Sequence, residues 1–486
     1  MSEKHELVDK IVSGALWIYL ATYASKVLVF ITTIILANLI TKSDFGVIGY
    51  TFIITSVLDS IYDLGIGAAY IYHKDEDGLA DTAFWLTVLY SLLVALIVWI
   101  TAPLVAAYFN DNRAIDVIHI YSVFFPVTAL GNTHEFILRK RLAFKQNMVP
   151  TIASSLVKGI ISIVLALLGF GYWSIIFGQV IGAVVSTIAY WVVVPWRPVF
   201  TINRSLVPSL LLYGIKTSFL NLMIALLLNI DYLFTGHYLG AEELGVYTLA
   251  FRIPDMIITQ FGVVINRVTF PAFVNIRDQE QSLAHGFVIT LKFICAAILP
   301  TGAGIILVSE PFWRTFFPDT WLEAVPVMSI ITVYTIMVTL VIGSESVYKT
   351  MGKLRTMIKL YLIRLIMIAP ALYFATTVIR SIEAVAWAQA GAAFILCVIN
   401  MVVTTKLIKI SIHEIMKIMQ PSVISTLVMS IVVWGLLQIC GSIAPLAQII
   451  VSILVGLGVY GVMLNWQDHS IVQESFATFR RIFSLS

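Results

Sequence analysis

About fourteen runs of roughly twenty or more mainly apolar residues, joined by short polar links, leave this chain one class of solution. In a bilayer no water is at hand for the backbone, so each span must pair its own amides and carbonyls, and a helix does this within one segment. The fold class is therefore all-α: a polytopic membrane protein with about 14 transmembrane helices. The runs cover residues 11–40, 44–72, 81–109, 114–138, 148–169, 171–194, 205–239, 243–273, 283–308, 318–348, 355–379, 382–405, 418–439 and 443–464. Composition agrees, with 59% hydrophobic and 12% charged residues over 486 positions and a mean hydropathy of +0.95. The first run exceeds the ~7 to 15 apolar residues of a cleaved leader and reads as a retained span.

The links give the orientation. About nineteen Lys and Arg residues, including Arg139, Lys140, Arg141, Lys349, Lys353 and Arg355, fall on the side of the N-terminus, against about four, Lys42, Arg113, Arg314 and Arg380, on the other. The basic side faces the cytoplasm, and an even number of spans brings both termini there. All outside links are short. The longest, residues 309–321, carries Pro311, Phe312, Trp313 and Phe316 and reads as interfacial, which leaves no room for a catalytic domain. In the tail, Val472, Phe476, Phe479 and Phe483 share one helical face beside Arg480 and Arg481, as in a helix lying on the inner leaflet. Cys295, Cys397 and Cys440 lie in apolar runs without metal or disulfide spacing and read as packing residues.

A polar hinge occurs twice, as Ile40-Thr41-Lys42-Ser43-Asp44-Phe45-Gly46-Val47 and as Leu239-Gly240-Ala241-Glu242-Glu243-Leu244-Gly245-Val246. Its acid suits the first turn of a new helix, where charge meets the positive end of the macrodipole, and its glycine admits a close neighbour. Further echoes follow: Tyr108-Phe109-Asn110-Asp111 against Phe316-Phe317-Pro318-Asp319, and the basic turn near Arg139 against the one near Lys349. Six spans thus repeat as six, giving an N-lobe over residues 1–200, a C-lobe over 201–410, and an appended pair with its tail over 411–486. Because six is even, the lobes are expected to be related by an axis along the membrane normal, with a substrate site between them near the midplane and transport by rocking. Pro126, Pro254, Pro300, Pro326 and Pro370 fall within spans and can bend them.

Charges inside the apolar runs are the candidate site residues, because a cation at the bilayer centre costs at least about 2.5 to 3.5 kcal/mol unless it meets a partner or a wet cavity. Lys26, Lys158, Lys216, Arg252, Lys292 and Arg364 form the expected cationic lumen, while Arg267 is close enough to an end to snorkel. Lys158 and Arg364 are about 206 residues apart, between the two repeat offsets, and read as equivalent positions. Asp59 and Asp63 lie one turn apart, and Asp255 is at i+3 from Arg252; these three carboxylates are the candidates for coupling to H+ or Na+. Positive charge exceeds negative, which suits an anionic cargo such as a pyrophosphate or acidic sugars. No metal or cofactor is expected beyond such an ion.

The residues that carry the repeat also carry a likeness. Leu39 to Gly46, Asp63-Leu64-Gly65-Ile66-Gly67-Ala68-Ala69, Arg139 to Lys145, Gly169-Phe170-Gly171-Tyr172-Trp173-Ser174 with Gly178-Gln179, Asp231 to Arg252, and Thr269-Phe270-Pro271-Ala272-Phe273 resemble the polysaccharide transporter family of bacterial flippases. The likeness is to colanic-acid-exporter-type members, within the multidrug, oligosaccharidyl-lipid and polysaccharide exporter superfamily. It covers the first twelve spans, and it implies translocation of undecaprenyl-pyrophosphate-linked oligosaccharide units from the inner to the outer leaflet of the bacterial cytoplasmic membrane. It also implies contact with membrane lipids and with a polysaccharide polymerase complex, and no nucleic-acid partner. Where many relatives have basic residues near the two hinges, this chain has Asn38 and His237.

Two other functions compete. An ion-coupled multidrug antiporter of the same superfamily would carry a lumen dominated by acids. A membrane glycosyl polymerase or ligase would need a sizeable outside loop with catalytic His or Arg residues, whereas the eight histidines here are scattered and His134-Glu135 is the one close acid-base pair.

Overall fold

The computed structural model describes residues 24–59, 65–72, 76–208, 210, 222–223, 225–276, 280–441 and 443–468. Among them every regular element is helical, and ten helices are long and apolar enough to cross a membrane. The other four expected spans hold shorter described helices. The tail from 469, with its expected interfacial helix, lies outside the described residues.

Residues Met1–Gly245 and Val246–Ser486 form two compact units. The first runs through Ala24–Ala37 (α1), Lys42–Asp59 (α2), Ile66–Tyr72 (α3), Leu79–Phe109 (α4), Arg113–Ser122 (α5), Phe124–Lys140 (α6), Phe144–Leu167 (α7), Trp173–Val193 (α8) and Ile230–Tyr238 (α9). α5 and α6 together make one apolar rod of 28 residues. α7 and α8 pack through small residues: a Cβ on Gly182 would lie 3.1 Å from that of Lys158 and 3.2 Å from the Ser154 carbonyl oxygen. Such close approach is how helices gain contact in lipid, where burial of apolar surface offers little drive. A core of Ile66, Ala69, Phe136, Tyr190 and Leu210 ties α3, α6 and α8 together.

The second unit takes up within Ala241–Pro254 (α10) and continues through Gln260–Asn275 (α11), Glu280–Leu307 (α12), Ser309–Phe316 (α13), Ala324–Thr350 (α14), Leu354–Phe374 (α15), Ile382–Ile408 (α16), Ile412–Ile439 (α17) and Pro445–Gln467 (α18). α14 is its centre, the most buried of the long apolar helices, packed against neighbours that include α11, α12 and α16. Two of the expected proline bends are accompanied by π-helical turns, Asp255–Thr259 directly after Pro254 and Ala375–Ile379 five residues after Pro370. Pro126 and Pro326 instead fall in first turns, where a missing amide costs little. The α17–α18 pair lies on α12: Met429, Val433, Tyr460 and Leu464 cover Ala296, Ala303 and Leu307, and the Tyr460 hydroxyl donates to the Ala296 carbonyl at 2.7 Å.

The aromatic link around 309–321 is not simply interfacial, because Trp313 and Trp321 are 0% and 2% exposed and are packed into the unit. Large aromatics near a membrane end fill protein gaps as readily as they anchor to headgroups. Cys295 and Cys397 are buried free thiols, as packing residues should be, while Cys440 is half-buried.

Candidate functional site

The two hinges found by repetition meet in the first unit. A Cβ on Gly46 would collide with the Ala241 carbonyl, and one on Gly245 would collide with the Lys42 carbonyl and lie 2.9 Å from the Gly46 amide nitrogen. Each glycine thus receives the first turn of the other hinge's helix, a reciprocal fit that leaves no space for a side chain. Local chemistry starts α2 at the right residue: the Thr41 amide and hydroxyl donate to Asp44 Oδ2 at 3.1 and 2.8 Å, and the Asp44 amide donates back to Thr41 Oγ1 at 3.2 Å. Lys42 Nζ lies 4.0 Å from Glu242 Oε1 across the contact.

The first hinge is also held from the side. Arg113, at the start of α5, donates to Asp111 from Nε and Nη2 at 3.0 and 2.7 Å and to Ser43 Oγ at 2.9 Å. Its guanidinium lies 6.0 Å from the centre of the Tyr172 ring. On the second hinge His237 stacks on Tyr108 at 4.4 Å and its Nδ1 bonds the Tyr108 carbonyl, while Asn38 donates to the Ile34 carbonyl at 2.9 Å.

The expected intramembrane cations divide by surroundings. Arg364 on α15 is 5% exposed, donates to the Tyr334 hydroxyl at 3.0 Å and lies 5.7 Å from the centre of that ring. It lines a cavity of about 40 Å³ with Glu345, Tyr361 and Asn400, in which the Tyr361 hydroxyl donates to Glu345 Oε1 at 2.8 Å and Lys349 Nζ lies 3.7 Å from Oε2. That volume suits one or two water-sized groups rather than a pyrophosphate. Lys292 on α12 is engaged by Asp468 at 2.7 Å, at the end of α18.

Lys158 is half-buried on α7, its Cβ against Gly182. Its register against Arg364 is shifted. The left-handed turn residues Leu142 and Gly352 (φ 54° and 66°) precede α7 and α15 by two residues each, so the offset here is about 210 rather than 206. Arg364 then corresponds to Ser154, one helical turn from Lys158 on the same packed face. Lys26 is half-buried on α1, Arg252 is exposed near the end of α10, and Asp255 opens the π-helical turn. Lys216, Asp63 and the side chains of Asp59 and Arg267 lie outside the described residues. Sequence reasoning missed Tyr334, Glu345, Tyr361 and Asp468; Glu345, four residues before Lys349, carried an i,i+4 signal that could have been read.

A sequence profile of a family described as "Polysaccharide biosynthesis protein" matches residues 35–326. The chain is similar to the teichuronic acid biosynthesis protein TuaB of Bacillus subtilis, 24% identical over 361 residues, 71% of this chain and 72% of that protein. It is also similar to the succinoglycan biosynthesis transport protein ExoT of Rhizobium meliloti, 23% identical over 473 residues, 94% of this chain and 93% of that protein. In fold it matches the lipid II flippase MurJ in an inward closed conformation, with a TM-score of 0.75 at 16% identity, over 94% of this chain and 100% of that one.

Proposed function

This chain belongs to the polysaccharide biosynthesis protein family, and from that premise we propose that it is a flippase for undecaprenyl-pyrophosphate-linked oligosaccharide repeat units. It moves them across the bacterial cytoplasmic membrane by alternating access, for exopolysaccharide, capsule or O-antigen synthesis. The observation that carries this reading is the pairing of family membership with a polytopic helical fold that matches, over 94% of the chain, a protein named as a lipid II flippase. The role is binding and movement rather than catalysis.

In this reading the basic ends face the cytoplasm and the glycine hinges close the outer end. Outward opening has to part the Gly46–Ala241 and Gly245–Lys42 contacts. Lys26, Lys158, Lys216, Arg252 and Arg364 favour the passage of a pyrophosphate by their field, whereas Lys292 is held by Asp468 and contributes less. Asp59, Asp63 and Asp255 remain the carboxylates through which H+ or Na+ would drive the cycle. Membrane lipids surround the protein, and a polymerase complex receives the product.

The test is movement of radiolabelled lipid-linked oligosaccharide in inverted membrane vesicles. The wild-type chain is expected to move it, and Lys158→Gln and Arg364→Gln each to slow it at least about tenfold, one intramembrane charge contact. No movement by the wild type removes the flippase reading. Wild-type rates in both variants remove those two cations from the path.

A further inference from the structure

A second cavity, of about 360 Å³, opens in the first unit between α6 and α8. It is built from two stripes at helical spacing, Phe124, Thr128, Asn132 and Glu135 on one helix and Ser186 and Tyr190 among those on the other. None of these residues is among the intramembrane cations or the ion-coupling carboxylates discussed above. We propose that the cavity binds a neutral, hydroxyl-rich sugar residue of the cargo; this rests on the flippase reading and names a glycan subsite within it.

Size, polarity and charge each narrow the ligand. The volume falls in the range of small-molecule pockets and far exceeds the space a water needs. Asn132 lines the cavity and is 5% exposed, and its buried amide nitrogen has no hydrogen-bond partner within the protein. Three of the four hydroxyls in the lining have committed their protons: Thr128 donates to the Phe125 carbonyl at 2.9 Å, Thr187 to the Val127 carbonyl at 2.8 Å, and Tyr190 to Asn147 Oδ1 at 2.9 Å, which leaves the Ser186 hydroxyl as a donor. Their oxygens therefore face a ligand as acceptors, together with the Glu135 carboxylate. Donors at Asn132 and Ser186 among several acceptors match a polyol, which offers both functions at every hydroxyl.

Among the described residues the lining contains a carboxylate and no cation, which disfavours the pyrophosphate and acidic sugars. Glu135 is itself balanced from outside the cavity by Arg139, at 3.6 Å. A bare cation is equally ill-suited, since it needs oxygens converging to about 2.0 to 2.6 Å and this cavity is too wide. The ring of Phe124 supplies an apolar wall. The cavity also lies toward the Arg139–Lys145 end of its helices, the end expected to face the cytoplasm, where a lipid-linked glycan first meets the protein.

The full chain in lipid nanodiscs, free of sugar-headed detergent, would be titrated with methyl α-D-glucopyranoside, methyl N-acetylglucosaminide and glucuronate, with saturation-transfer difference NMR as the readout. Both neutral glycosides should give signals and glucuronate much weaker ones. Asn132→Leu should weaken binding about five- to tenfold, as for one lost hydrogen bond. Ser186→Leu, which fills the space, should weaken it similarly and serves if the Asn132 variant fails to fold. Absence of signal from the wild type, equal signal from glucuronate, or unchanged signal in folded Asn132→Leu or Ser186→Leu protein each overturns the proposal. Transport in vesicles separates the two readings: movement of lipid-linked oligosaccharide without glycoside binding removes the subsite alone. Binding without movement removes the flippase.

Discussion

A guanidinium deep in a span must be solvated by protein, and at Arg364 the partners include an aromatic hydroxyl from the neighbouring α14. Tyr334→Phe keeps the ring beneath the charge but removes that oxygen acceptor. A hydrogen bond to a charged group contributes about 1.5 to 3 kcal/mol, so the purified variant should melt several degrees below wild type. An unchanged melting temperature would mean that other groups solvate the charge alone. Arg364→Lys should not substitute, because an ammonium lacks the planar fork that reaches Tyr334 while lying over its ring. The sequence disclosed Arg364 through its cost in lipid, yet Tyr334 was just one more aromatic in an apolar run. A polar partner that is itself half apolar leaves no mark in hydropathy.

Helix contacts were legible where they required glycine and obscure elsewhere. The hinge motif placed Gly46 and Gly245 at close approaches, and both are such; their mutual contact needed three dimensions, since nothing in either copy points at the other. Gly46→Ala or Gly245→Ala drives a Cβ into backbone carbonyl, an overpacking of about 1 to 3 kcal/mol, and should part the hinge contact. A membrane-impermeant maleimide reports this through Ala241→Cys combined with Gly46→Ala: labelling should rise over Ala241→Cys alone, and equal labelling would show that the hinge absorbs the Cβ. Between α7 and α8 a different glycine does the same work in the span interior. Gly182→Leu should push α7 away from α8 and lower stability by a similar ~1 to 3 kcal/mol, read by thermal melting; a neutral result would place slack at that crossing. The sequence register of Lys158 with Arg364 failed for a related reason. Repeat offsets drift with loop length, and only the left-handed residues Leu142 and Gly352 fix where each helix begins.

At the scale of the whole chain, the helical class followed from backbone chemistry, whereas burial within spans did not, because lipid-facing and core-facing sides are both apolar. Leu104 and Ile439 are 71% and 83% exposed, yet their types match those of the core. Lys292 shows the consequence. Its place inside an apolar run made it a candidate for the lumen, but its partner Asp468 lies at the C-terminal end of α18, two helices beyond the repeat. The appended pair is thus joined to the rest of the second unit by charge as well as by the Tyr460–Ala296 bond and the packing over α12. Removing residues 411–486 should therefore harm the remainder chiefly by stranding one ammonium, since the apolar faces it uncovers can be met by lipid. An unpaired buried charge costs about 3 to 5 kcal/mol, and at 20% side-chain exposure the figure here is nearer ~1 to 3 kcal/mol. The truncated chain should melt lower than the full one, truncation with Lys292→Met should recover most of the loss, and Asp468→Asn in the full chain should reproduce it. If Lys292→Met recovers nothing, the pair contributes through packing instead, and the ion pair is incidental to how the C-terminal helices are held.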